Sequence, residues 1–325
     1  VQKSAEQVVL KRGLLRGGCG LLRKKLAQLG TGKNLLGLVA VHGFLAVLLC
    51  GCRTAPEPAG RRCYRAESAS RLLQSLSEGQ DSYLPLRAGG QCLLEYYDDR
   101  GQRRKENFPV RLWIEPPSRI ALLGDVGFDG RAIVFGCNEQ EFWLAAKPKQ
   151  ISGYWWGRWS ENGGSAGQRC LAEWPMGVGP YSLLEGFGLV GQRDGCVRWE
   201  LSRDARFDVL NCYDQTGRLA KKIYIDCCDS VVRKVQYFDA AGQQAAQMEL
   251  DGYRQVAEGF LVPTAIKISR TEADAKGESI RISLNSVQTA SFSDTQRRQL
   301  FTPLSSQPFE RVYRLDDNCR FIREN

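Results

Sequence analysis

The chain has 325 residues, of which 45 are basic and 36 acidic, giving a formal charge of +9 and a pI near 9.0. Residues 1–51 hold eight of the basic side chains and one of the acids, so residues 52–325 keep 37 and 35 and are close to neutral; a counterion-release footprint is not expected, and nucleic acid is set aside as a partner. The single histidine, His42, lies in that leader, which excludes Ser-His-Asp and Cys-His chemistry and histidine-bound metal from the rest of the chain.

The leader opens with Lys11, Arg12, Arg16, Arg23, Lys24, Lys25 and Lys33. It then runs apolar from Leu35 to Leu49, except for His42. A charged segment followed by a short apolar run is the layout of a secretory signal. A run of this length spans a membrane poorly, since about 20 helical residues are needed. The run closes with Leu49-Cys50-Gly51-Cys52, which resembles a bacterial lipobox. The resemblance implies cleavage after residue 51, a lipid on Cys52, and a stable anchor once two or more acyl chains are attached. An uncleaved signal anchor is the alternative. Residues 53–62, RTAPEPAGRR, read as a tether. No aspartate follows Cys52, which implies by the same resemblance passage to the periplasmic face of the outer membrane.

Residues 64–79 are expected as one amphipathic helix, with Leu72, Leu73 and Leu76 on one face and Gly79 as its stop. From Gln91 the apolar period becomes two. Strands are expected at 91–99, 108–115, 118–126, 131–138 and 140–148, with an aromatic strand GYWWGRW at 153–159. Pro116-Pro117 stops the second of these, because neither residue can donate to a ladder. A turn is expected at Asp99-Arg100-Gly101-Gln102. Residues 160–179 read as a Gly/Ser-rich loop, and Pro180 opens a short helix, PYSLLEGFGL. Further strands follow at 206–214, 219–228, 230–239, 243–253, 261–270 and 278–287, with matching turn signals at Asp214–Gly217 and Asp239–Gly242. The expectation is about eleven strands in an antiparallel meander, a mostly β (α+β) fold.

Nine cysteines follow Cys52. Export makes disulfides possible, one or two bridges are expected, and mid-strand cysteines read as small buried hydrophobes. No CxxC or C…H spacing supports zinc, and no metal or cofactor is expected. Asp98, Asp99, Asp125 and Asp129 are the candidate carboxylates for acid–base chemistry, but acids at strand ends are ordinarily solvated turn formers. No catalytic residue is assigned.

The order of lipobox, tether, helix, FPVRLWIEPPSRIALLGDV, EFWLAAKP, PYSLLEGFGL, IYIDCCDSVVRKVQYFDAAGQQAAQMEL and LVPTAIKI is similar to the LolA/LolB-like outer-membrane lipoprotein-sorting superfamily. The resemblance covers most of residues 63–305. It implies one domain over 63–325, an open antiparallel half-barrel whose concave face is covered by helices, and an acyl chain or lipoprotein lipid as the bound partner. A periplasmic carrier protein is the protein partner it suggests. The alternating strands nominate Leu112, Ile114, Ile120, Leu122, Phe142, Leu144, Ile223, Ile225, Met248, Leu250, Ile266, Ile268, Ile282 and Leu284 as cavity lining, with Trp155 and Trp156 at the rim. The rival reading is a structural or sensing module that binds a protein partner and has a filled concave face.

Overall fold

The computed structural model describes residues 63–80, 83–98, 100–127, 129–147, 152–159, 179–190, 196–271, 277–316 and 320–324. The leader, the expected lipid anchor Cys52, the 53–62 tether and residues 160–178 of the expected loop lie outside the described residues. Strands in the first half are β1 (Leu86–Tyr97), β2 (Arg103–Glu115), β3 (Arg119–Val126), β4 (Asp129–Cys137), β5 (Glu141–Ala146) and β6 (Gly153–Arg158). The second half adds β7 (Arg198–Asp204), β8 (Phe207–Tyr213), β9 (Leu219–Asp226), β10 (Val232–Phe238), β11 (Gln244–Asp251) and β12 (Arg254–Ala257). It ends with β13 (Phe260–Val262), β14 (Ala265–Arg270), β15 (Ser279–Thr289), β16 (Val312–Leu315) and β17 (Phe321–Arg323). Three helices are described: α1 (Ala69–Gln80), α2 (Pro180–Gly186) and α3 (Asp294–Leu300).

Fifteen strands form one open sheet in the order β17-β16-β6-β5-β4-β3-β2-β1-β15-β14-β11-β10-β9-β8-β7, and β12 and β13 form a separate hairpin. Each pairing within the sheet is antiparallel except β16 on β6. The described strands number more than the expected eleven: β7, β12, β16 and β17 fall where none was expected, and one expected strand is divided. Pro263 divides the expected 261–270 strand into β13 and β14, since it has no N–H to give the ladder. The first strand starts at Leu86 rather than Gln91, because Gly89 and Gly90 hide its pattern. A register shift falls between those two glycines, and a Cβ on Gly90 would sit 2.1 Å from the Ser283 carbonyl oxygen, so only glycine fits the bulge. The first helix begins at Ala69, five residues later than expected, after Ser68 has accepted the Arg71 N–H at 3.2 Å.

Tight turns set the register of the meander. Asp214 and Asp239 each accept two backbone N–H groups, from residues two and four further on, while Gly217 and Gly242 take positive φ. Asp98 does the same with Arg100, Gln102 and Gly101. The turn expected from Asp99 therefore starts one residue earlier.

Inward side chains from β1 to β5, β8 to β11, β14 and β15 join a single cluster, to which α1 adds Leu72 and Leu76 and α2 adds Tyr181, Leu183, Leu184 and Phe187. For strands this far apart in the sheet to share one cluster, the sheet must curl. A second layer lies on the outer side of β2–β6. There Ala121, Leu123, Val134, Trp143, Ala145 and Tyr154 are covered by Phe292, Phe301, Phe309 and Val312 from the C-terminal segment. Helix α3 in that segment starts in a capping box made by Ser293 and Gln296, and Arg297 reaches Glu115 at 2.8 Å.

The start of the described chain is clamped onto β8 and β9. Cys63 is bridged to Cys228 just beyond β9, the Ala66 N–H donates to Asp208 at 2.7 Å, and Arg65 lies 3.6 Å from the same carboxylate. Asp226, fully buried at the end of β9, accepts from Arg206 and from the Cys228 N–H (2.9 Å). Burial opposes its ionisation, but the Cys228 N–H and Arg206 outweigh that and hold the carboxyl below its ordinary value. A carboxylate depressed on folding stabilises the fold above its unfolded pKa of about 3.9, and that contribution is lost as pH falls through the lower folded value. Asp226→Asn is therefore expected to lower the urea midpoint near neutral pH, and the gap from wild type should narrow below about pH 4. Denaturation midpoints across that range test it; a gap independent of pH would show that Asp226 is not the titrating group.

Candidate functional site

The inward face of the sheet is where the fold gathers its chemistry, and period-two alternation puts it there. Leu112, Ile114, Ile120, Leu122, Phe142, Leu144, Ile223, Ile225, Met248, Leu250, Ile266, Ile268, Ile282 and Leu284 all point into the one inward cluster and are buried. Trp156 does not. Its neighbours in β6 alternate, so Trp155 faces inward while Trp156 packs with the outer layer and donates its indole N–H to Glu324 at 3.1 Å. Trp155 stacks on Tyr313 at 5.6 Å between ring centroids. Of the candidate carboxylates, Asp98 lies on the turn after β1 and pairs with Arg104 at 2.8 Å, and Asp125 lies near the end of β3 and pairs with Arg111 at 3.0 Å; Asp99 and the Asp129 side chain lie outside the described residues.

Between α2 and strands β1–β4, β14 and β15 lies a cavity of about 40 Å³ whose exposed lining is wholly apolar. Leu122, Ile268 and Ile282 line it with seven others, among them Cys92, Phe108 and Leu183. An apolar void of this kind stays dry. Burial pushes the Cys92 thiol up to about 12, so it stays protonated and inert unless the cavity opens. Ligand pockets run from roughly 300 Å³ upward, so the space present is a seed rather than a full pocket. The remaining nominated residues, including Phe142, Leu144, Ile223 and Ile225, do not border this void and pack against one another and the helices.

Helix α2 is the element that fills the hollow. Pro180 takes its first position, and its missing N–H costs nothing there. Its described side chains are buried all round. Among them is Glu185, with no exposed surface, which meets Lys221 (4% exposed) of β9 in an ion pair and accepts from the Tyr237 hydroxyl (2% exposed) of β10 at 2.9 Å. The register explains the convergence: Tyr237 and Lys221 are direct cross-strand partners, so both side chains leave the same face at the same height. The Trp199 ring flanks the ammonium at 5.7 Å. Period-two reading could have found this polar trio. In LAKKIYID, Lys221 occupies the inward series with Ile223 and Ile225, a place where a lysine requires a partner.

An open, curled antiparallel sheet with an apolar hollow, occupied by a helix that carries one buried ion pair, is the class of structure defined here. Solved structures similar in fold include a domain assigned to outer membrane lipoprotein sorting from Vibrio parahaemolyticus, 12% identical with a TM-score of 0.49, covering 70% of this chain and 95% of that chain. A LolA superfamily protein from Nitrosomonas europaea is 12% identical with a TM-score of 0.43, covering 73% and 99%. A DUF1329 family protein from Desulfovibrio piger is 9% identical with a TM-score of 0.44, covering 69% and 93%. No protein-family model and no curated relative matches the chain.

Removing one partner of a buried ion pair leaves the other uncompensated. Glu185→Leu and Lys221→Met should each cost about 3–5 kcal/mol, whereas the double substitution should recover most of the loss. A double-mutant cycle on urea denaturation measures this; additive losses would mean that the two charges do not depend on each other.

Proposed function

We propose that this is a lipid-anchored envelope protein that takes an acyl chain, of a lipoprotein or another lipid, into its concave face as helix α2 gives way. The observation that carries the reading is the dry, apolar cavity against Leu183 of α2, set in a much larger apolar face. Sixteen methylenes represent roughly 13 kcal/mol of transfer from water, so any protein that moves such a chain must offer a surface of comparable apolarity. The present void is too small for that chain. Withdrawal of Tyr181, Leu183, Leu184 and Phe187 with their helix would supply the volume. The Glu185–Lys221 pair does not forbid this movement, because charges released from a buried pair regain their hydration. The lipobox resemblance and the sequence resemblance to the lipoprotein-sorting superfamily extend the reading to reception or sorting at the outer membrane. The two disulfides joining described residues, Cys63–Cys228 and Cys196–Cys212, suit an oxidising compartment. None of the described helices is long and apolar enough to cross a membrane.

A second reading has its own observation. Ile120, Phe142, Ile223, Val235 and Met248 are fully buried in the structure as it stands, the filled interior expected of a module that binds a protein partner through its surface. Lipid uptake separates the two. Native mass spectrometry of the protein from membranes is expected to find copurifying lipid, or uptake of added palmitate, and Cys92 should become reactive to a small uncharged maleimide while α2 is displaced. A clean apo mass with no uptake, together with an unreactive Cys92, would leave the partner-binding reading.

Anchoring is tested apart from the cavity. Cys52→Ser should release the protein to the soluble fraction or leave it as an unprocessed precursor; a processed variant still held firmly by membranes would remove the lipobox assignment.

A further inference from the structure

Three sulfurs meet where the described chain begins. Cys63 and Cys228 are bridged, and the Cys227 thiol lies 4.0 Å from Cys228 Sγ. All three sulfurs fall within 4.8 Å of one another. Cys63 is exposed, Cys228 half-buried and Cys227 only 7% exposed. An ordinary buried cysteine such as Cys92 or Cys137 sits in a strand. Cys227 instead occupies the turn after β9, where two neighbouring backbone positions can present a sulfur to the same partner. A thiol held against a disulfide is the arrangement that thiol–disulfide exchange requires.

We propose that Cys63, Cys227 and Cys228 form an exchange centre, in which the attachment of the N-terminal segment passes between two adjacent cysteines. The Cys227 thiol loses its proton to solvent, and the thiolate attacks Cys63 Sγ. The Cys63–Cys228 bond breaks as the Cys63–Cys227 bond forms, and Cys228 leaves as a thiolate that takes up a proton. One disulfide and one thiol stand on each side, so no oxidant or reductant is consumed. Attack on Cys228 Sγ is the disfavoured branch. It would join sequence neighbours and close a small ring across a single peptide bond, which the preference for a planar trans peptide opposes. The exchange therefore returns to Cys63 and keeps the segment tied.

What the bridge holds gives the exchange its consequence. Between Cys63 and α1 the chain is gripped by Asp208, through the Ala66 N–H and Arg65, and α1 then sends Leu72 and Leu76 into the inward cluster. Re-pairing shifts the tie by one residue along the turn. The segment stays attached while its lead into that grip changes, and the freed Cys228 thiol, half-buried where Cys227 is buried, becomes the group that an outside thiol or disulfide would meet.

The test uses the full chain, digested with pepsin at low pH so that no exchange occurs after quenching. In wild type held at mildly alkaline pH under non-reducing conditions, fragmentation between residues 227 and 228 is expected to reveal a Cys63–Cys227 species that grows with incubation. In Cys228→Ser, Cys63 should be joined to Cys227 as the sole pairing. The two outcomes together support the centre. Exclusive Cys63–Cys228 pairing in wild type after incubation, with Cys227 unmodified, overturns it, and so does a protease-resistant Cys228→Ser protein whose Cys63 is unlinked to Cys227. Should Cys228→Ser fail to fold, the wild-type measurement decides alone.

Discussion

The structure depends on one constraint: the inward apolar side chains of a very wide antiparallel sheet must escape water without a second sheet to pack on. Fifteen strands laid flat would leave that face wet. Curling lets both ends share one cluster, from Leu315 of β16 to Leu210 of β8. Helices α1 and α2 then occupy the space that curvature leaves. Closure of the sheet is unnecessary, and the ends of its order remain the short β17 and the charge-rich β7 (RWELSRD), both poor templates for further pairing.

The two halves of the sheet solve the outer face differently, and their sequences record it. In β15 the burial alternates strictly from Ser279 to Asn285, as befits a strand with one wet side. In β3 and β5 it runs continuously through Ile120–Gly124 and Phe142–Ala146, the mark of strands buried on both sides. Those runs, RIALLGDV and EFWLAA, were visible in the chain. Their cover was not, since Phe292, Phe301 and Phe309 lie far along the sequence in a stretch with no strand pattern, and only the Ser293–Gln296 capping signal betrays its helix. Trp155 and Trp156 were both expected on one rim for the same reason: no outer layer was in view to receive the second.

Legibility of the site followed the same division. Strand alternation identified the inward aliphatics, because a period of two depends on the backbone alone. It could not tell a lined cavity from a filled core. That difference rests on where a helix from elsewhere in the chain inserts its side chains, and on interdigitation at the scale of single methyl groups. Lys221 was legible as an anomaly in the inward series, but its partner Glu185 lies in a separate helix. The convergence with Tyr237 arises only once β9 and β10 are paired in register. The cysteine pairings were equally closed to inspection, since adjacent Cys227 and Cys228 offer equivalent partners until the turn is built.

The helix inside the hollow joins these points. A core meant only for stability would be expected to close with aliphatic residues throughout, since a buried ion pair of this kind stabilises no better than well-packed hydrophobic side chains of similar volume. Here the inward face accepts Lys221 and Tyr237, and the filling helix returns a single carboxylate to meet both. Such a contact specifies position more than it adds adhesion: α2 has one seat in which its charge is answered, and elsewhere along the apolar wall it has none. Apolar packing around Leu183 and Leu184 supplies the attraction, and the ion pair supplies the register. The small dry space left beside Leu183 marks where that apolar packing is least complete.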